Sequence, residues 1–278
     1  MSITLYTAPD CIRCRIVKAY FADRGIEYAT VDFKEDKDEF NKFYRANRPV
    51  IYRNPEGVEF PLFSDGEAVR QGSGIILAYM LAGDKLEQAV MRSHLLHGWI
   101  SGLYPSVCPK EQEENFLEVV KWLEKGGLKV YIQTDGRNPA FLERVLKTGQ
   151  VSKVVFNILG PAQAYADSFG GAVSAEELAK TAELVTAFPS HEVRLLISPT
   201  KRADGSYSWT SKEEAAEAAK MLAEATGNKT MPFFIAAVDK ENPLGQQGLG
   251  DFPQDQLLPY RSAVRKFMFK ADLAKPEQ

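Results

Sequence analysis

A chain of 278 residues, 45% hydrophobic and 26% charged, has the balance of a soluble globular protein and is long enough for two ordinary cores or one large barrel. Its net charge of −3 excludes a basic field for nucleic acid or an anionic membrane surface, and no apolar run reaches the ~18 residues that cross a bilayer. Three cysteines do not make a disulfide framework. A lone C-x-x-C in a chain without an export signal points to redox or metal chemistry in a reducing cytoplasm.

Ile3 to Thr7 reads as a first strand rather than a signal peptide, because it lacks a charged lead and turns polar by Thr7. Cys11 to Arg24 follows as a helix with Ile16, Val17, Tyr20 and Phe21 as its apolar stripe, closed by Gly25. Tyr28 to Phe33 is a second strand and Asp36 to Ala46 a second helix. Asn54-Pro55-Glu56-Gly57 is turn chemistry between Val50–Tyr52 and Val58–Phe63, which predicts a hairpin. Asp65-Gly66 is a second turn, and Ile75 to Leu81 a third helix that stops at Gly83-Asp84. The order is β-α-β-α-β-β-α.

Residues 84–98 read as a linker helix. Beyond them, helices at 111–125, 139–147, 174–186 and 211–226 alternate with apolar runs at 128–133, 153–159, 192–198 and 232–238. Ser174 with Glu177, and Thr210 with Glu213, are expected capping boxes. Such alternation implies right-handed crossovers and a parallel sheet. Four or five units are too few for eight strands, so an open or partial (β/α) barrel is expected. Gly245 to Gly250 reads as a loop. The predicted organisation is α/β, with domains at 1–83 and 99–278.

Placing C-x-x-C at a strand-to-helix junction has a physical consequence. Unpaired N–H groups and the helix dipole favour an anion at the first cysteine. They lower a thiol pKa from about 8.5 into the range ~3.5–7.5. Cys11 is then the attacking thiolate and Cys14 the resolving thiol one turn further in. Arg13 and Arg15 add positive charge, while Asp10 opposes it. Two other readings of the pair stay open: half of a zinc site, although His94, His97 and His191 show no finger spacing, and two inert buried cysteines.

Residues 1–83 resemble the glutaredoxin family and its relatives that reduce ribonucleotide reductase. The resemblance is carried by Leu5-Tyr6-Thr7-Ala8-Pro9-Asp10-Cys11-Ile12-Arg13-Cys14, Gly25-Ile26-Glu27-Tyr28, Phe60-Pro61, Gly66 and Gly72-Ser73-Gly74. It implies a thioredoxin-type fold, a redox role for Cys11 and Cys14, and a cis proline at Pro61 whose neighbouring backbone pairs with a disulfide substrate. It further implies that Pro9, Phe60, Pro61, Gly72 and Ser73 contact that substrate. Ala8, Glu59 and Gln71 depart from the family pattern, and Glu59 would repel a glutathione carboxylate. The stretch from Phe60 to Tyr79 also resembles the first domain of glutathione transferases, whose second domain is all-helical, unlike the α/β pattern here.

Within 99–278, Ser101-Gly102-Leu103-Tyr104-Pro105, Tyr131 to Gly136 and Val154 to Pro161 resemble the barrel of radical SAM activating enzymes. The three cysteines that bind a [4Fe–4S] cluster there are missing. Cys108 stands alone, and one thiolate cannot hold the cluster. No cofactor is therefore expected: neither a cluster nor S-adenosylmethionine, with glutathione disfavoured.

Ligands of parallel α/β folds gather at the C-terminal ends of strands, which makes Thr134, Asp135, Asn157, Lys201 and Asp239 candidates for a barrel-mouth pocket. His94 and His97, three apart, would share a helix face. Gly170-Gly171 reads as a loop. The expected activity is thiol–disulfide exchange in the cytoplasm on a protein or small-molecule disulfide, with no nucleic-acid or membrane partner. A scaffold with two degenerate domains, or a cluster protein using Cys11, Cys14 and Cys108, is the alternative.

Overall fold

Residues 2–93, 95–165, 172–202, 204–238 and 249–274 are described by a computed structural model. The chain divides into two compact units, Met1–Tyr131 and Ile132–Gln278. His94, Gly170-Gly171, Asp239 and most of the expected loop at 245–250 lie outside the described residues.

The first unit begins with β1 (Ile3–Thr7), α1 (Ile12–Asp23), β2 (Tyr28–Asp32), α2 (Lys37–Asn47), β3 (Arg53–Asn54), β4 (Gly57–Val58), β5 (Leu62–Ser64), β6 (Val69–Gln71) and α3 (Ser73–Ala82). One sheet has the order β2-β1-β5-β6. β1 runs parallel to β2 and antiparallel to β5, and β5 pairs antiparallel with β6. Because β1 is paired on both sides, Leu5, Tyr6 and Thr7 are all buried. α1 buries Ile16, Val17, Tyr20 and Phe21, the stripe expected from helical spacing. It ends where Gly25 adopts a positive φ of 62° and the Ile26 N–H reaches the Phe21 carbonyl. The Asn54–Gly57 turn forms, with Asn54 Oδ1 accepting from the N–H groups of Glu56 and Gly57. Its arms are only the two-residue β3 and β4. Val50–Tyr52 is not an arm, and Leu62–Phe63 belongs to the main sheet.

Residues 84–98 do not form the expected linker helix. A short 3₁₀ turn spans Gly83–Leu86, and β7 (Leu95–Leu96) and β8 (Trp99–Leu103) form an antiparallel hairpin. His97 and Gly98 both have positive φ, 49° and 81°, the pairing that a tight two-residue hairpin turn requires. His97 is therefore in a turn and shares no helix face.

Next comes α4 (Glu113–Lys125), which packs on α1 and α3. Trp122 meets Tyr20 edge-on at 5.4 Å. At the end of α4, a Cβ on Gly126 would lie 2.3 Å from Ile16, so only glycine permits this approach. The first unit thus continues past Gly83 to Tyr131, where a boundary near 98 was expected, because α4 covers the helices of the N-terminal sheet.

β9 (Lys129–Thr134) crosses the unit boundary. The second unit then holds α5 (Pro139–Lys147), β10 (Val151–Ile158), α6 (Ala175–Thr186), β11 (His191–Ile197), β12 (Pro199–Lys201), β13 (Tyr207–Trp209), α7 (Lys212–Thr226), β14 (Phe233–Ala237), α8 (Leu257–Val264) and β15 (Asp272–Leu273). The pairs β10–β11 and β11–β14 are parallel, as the alternation predicted, and β14 also pairs in parallel with β15, a strand the alternation did not predict. Within the second unit these strands lie in the order β15-β14-β11-β10, and among the described residues no pairing closes them into a barrel.

The Ser174–Glu177 capping box is present. The second box is Ser211–Glu214, one residue beyond the expected Thr210–Glu213. Thr210 is unavailable as a cap because its buried hydroxyl donates to the Ser198 carbonyl and accepts from the Ser198 N–H.

Candidate redox site

Cys11 is the residue that caps α1. Its Sγ accepts from the Cys14 N–H at 3.1 Å, which places the sulfur among the unpaired amides of the first helical turn. The two cysteines form a disulfide, with their Cα atoms 5.2 Å apart. Their surroundings differ. Cys11 is partly exposed, whereas Cys14 is only 3% exposed and faces a core of Tyr6, Val31, Phe40, Ile51, Phe60 and Leu62. The approach to Cys11 is exposed: Pro9 and Asp10 are open to solvent, and Asp10 takes a positive φ of 54°, which aspartate tolerates better than most residues.

The second wall of the site is the loop before β5. The Phe60–Pro61 peptide is cis, in line with the family resemblance, and the Pro61 carbonyl accepts from the Gly72 N–H at 2.9 Å. Phe60 packs against Phe33 and Phe40, with ring centroids 5.1 and 5.5 Å away. Of the expected substrate contacts, Pro9 is open to solvent. Phe60 and Pro61 are both buried. Gly72 and Ser73 lie inside the fold, where Ser93 Oγ would sit 3.6 Å from a Cβ on Gly72. Those two glycine-loop residues are thus covered rather than presented.

Sequence reasoning missed two polar ties. Arg13 Nη1 donates to Glu59 Oε2 at 3.2 Å, and both side chains are nearly buried, 13% and 14% exposed. Asn54 Nδ2 donates to the other Glu59 oxygen at 3.2 Å. Glu59, expected to act as a free repelling charge, is instead half of an ion pair. The signal was available, since the resemblance brought both loops to one site and they carry opposite charges. Gln71 is the second tie. Its side chain donates to the carbonyls of Tyr52 and Glu59 and accepts from the Tyr52 N–H, holding the loop that leads to Pro61.

Cys108 is buried, and burial, reinforced by Glu113 and Glu111, pushes its thiol up to about 12. Such a thiol stays protonated and inert. Among the described residues no group of three His, Cys, Asp or Glu side chains is placed to hold a metal ion.

Four of the five barrel-mouth candidates lie among the described residues. Thr134 is buried at the end of β9, and its hydroxyl accepts from the Gly136 N–H. Asp135 pairs with Arg137. Asn157 donates to the Gln133 side chain at 2.8 Å within the sheet, and Lys201 is exposed at the end of β12.

The N-terminal sheet order, its flanking helices, the C-x-x-C at the start of α1 and the cis proline before β5 are those of a thioredoxin fold. No protein-family model matches the chain, and no curated protein matches it significantly. Among solved structures it is similar to the glutaredoxin-like protein NrdH-redoxin from Escherichia coli, a protein with a thioredoxin-like activity profile. That likeness has 25% identity over 26% of this chain and 84% of the redoxin, with a TM-score of 0.21.

Proposed function

We propose that the chain is a thiol–disulfide oxidoreductase. The observation that carries the reading is the asymmetry of the pair: Cys11 partly exposed at the helix cap, Cys14 buried behind it and bonded to it. In the reduced form the amides of the first turn stabilise a Cys11 thiolate. It attacks one sulfur of a substrate disulfide, and the other substrate sulfur leaves and takes up a proton. Cys14 then loses its proton and attacks Cys11 Sγ in the mixed disulfide. The second substrate thiol departs, leaving the Cys11–Cys14 disulfide. A dithiol reductant of the cytoplasm returns the pair to its starting state.

In this reading Pro9 and the Phe60–Pro61 loop border the substrate. The second unit is an open, partial (β/α) scaffold akin to the activating-enzyme barrel without its cluster, and it recruits a substrate or partner. The test is dithiol-driven reduction of a protein disulfide by the full chain. Cys11→Ser is expected to reduce turnover to background, and Cys14→Ser to accumulate the mixed disulfide. Equal activity of Cys11→Ser and the unmodified chain would remove the proposal.

A further inference from the structure

We infer that the Arg13–Glu59 ion pair sets the redox poise of the Cys11–Cys14 couple, with Glu59 cancelling a cation that would otherwise hold Cys11 as a thiolate. The inference rests on the thiol–disulfide reading of this site and adds the residues that tune it. Neither residue is catalytic in this proposal; both act through Cys11.

Arg13 lies between the two cysteines, in the same helical turn whose amides face Cys11 Sγ. A free guanidinium there would add a full positive charge to the partial charge of the helix terminus. It is not free. The Glu59 carboxylate, two residues before the cis proline, meets it at 3.2 Å, and the two side chains are 13% and 14% exposed. At that burial solvent and salt screen the pair weakly. The other charges of the loop, Asp10 and Arg15, are exposed and screened. Asn54, from the β3–β4 hairpin, adds a neutral donor to Glu59. The net field at Cys11 is therefore that of the helix terminus plus a neutralised pair.

Reduction by a dithiol makes the sign explicit. The Cys11–Cys14 bond takes two electrons and breaks, the reductant closes its own disulfide, and near neutral pH Cys11 is left as thiolate and Cys14 as thiol with one proton released. Whatever stabilises the thiolate favours the reduced form and makes the couple more oxidising.

The experiment equilibrates the full chain in a series of dithiothreitol redox buffers and counts free thiols by alkylation and mass. Glu59→Gln, which keeps the shape and an oxygen for Asn54, is expected to favour the reduced form about tenfold, ~30 mV for a two-electron couple. Arg13→Gln is expected to shift the equilibrium by a similar factor the opposite way. The double variant and Glu59→Asp are expected to return to within about twofold of the unmodified chain. Opposite shifts of this kind are not what loosened packing produces. Shifts in the same direction, shifts with the signs exchanged, or an equilibrium unmoved beyond about twofold in either single variant overturn the inference. The equilibrium is read without turnover, so an inactive chain would defeat the oxidoreductase reading separately.

Discussion

Cys11 and Cys108 carry the same functional group, and their surroundings assign them opposite behaviour. Cys11 sits at a helix cap with an amide on its sulfur; Cys108 is buried with the Glu113 and Glu111 carboxylates nearby, its thiol pushed up to about 12. At pH 8 only about 10⁻⁴ of Cys108 is thiolate, the reactive form. A brief pulse of N-ethylmaleimide on the reduced, folded chain is expected to modify Cys11 and leave Cys108 untouched until denaturant is added. Peptide mass mapping checks this, and labelling of Cys108 at a rate near that of Cys11 would contradict its burial. That Cys108 is the one cysteine of residues 99–278 was legible in the sequence. Its inertness was not, because burial comes from residues far along the chain.

Among the elements, α7 shows how a local signal is settled by its neighbours. The expected start at Thr210 is displaced to Ser211 because the Thr210 hydroxyl is held by Ser198. Glu214 closes the cap through the Ser211 N–H and also receives Arg202, which in turn donates to the Trp209 carbonyl and ties the β12–β13 hairpin to the helix. Burial alone would push the Glu214 carboxyl up. The Arg202 and Ser211 bonds outweigh it and hold the group below its ordinary value. A depressed carboxyl stabilises the fold above its unfolded-state pKa, about 4.3, and loses that contribution as pH falls through the folded value. Glu214→Gln, which retains a capping side chain, is expected to cost about 1 kcal/mol at pH 7. The gap should close in acid, as pH falls below the folded-state value. Urea midpoints at pH 7 and in acid check it, and a gap that persists in acid would show that packing, not charge, sets the effect.

For the whole chain, the unexpected feature is the extent of the first unit. Trp122 lies on Tyr20 and Gly126 on Ile16, so the outer surface of α1 is an interior surface. A fragment ending at Gly83 would leave that surface in water, whereas one ending at Thr134 retains α4. The longer fragment is expected to be the more stable of the two, because it keeps the apolar area that α4 buries on α1 and α3, Trp122 on Tyr20 included. Urea unfolding of the two fragments measures this, and equal midpoints would contradict the role of α4.

What the sequence determined by itself is whatever depends on near neighbours along the chain. The 3.6-residue stripe of α1, the β/α alternation of the second unit, the Ser174 cap and the C-x-x-C at a strand-to-helix junction all rest on spacings of a few residues. Tertiary structure decided the rest. It placed Cys14 in the core, covered Ser73, turned residues 95–103 into a hairpin and set α4 on α1. It also joined Arg13 to Glu59, 46 positions apart. Burial and ion pairing depend on which distant surfaces meet, and no local periodicity encodes that choice.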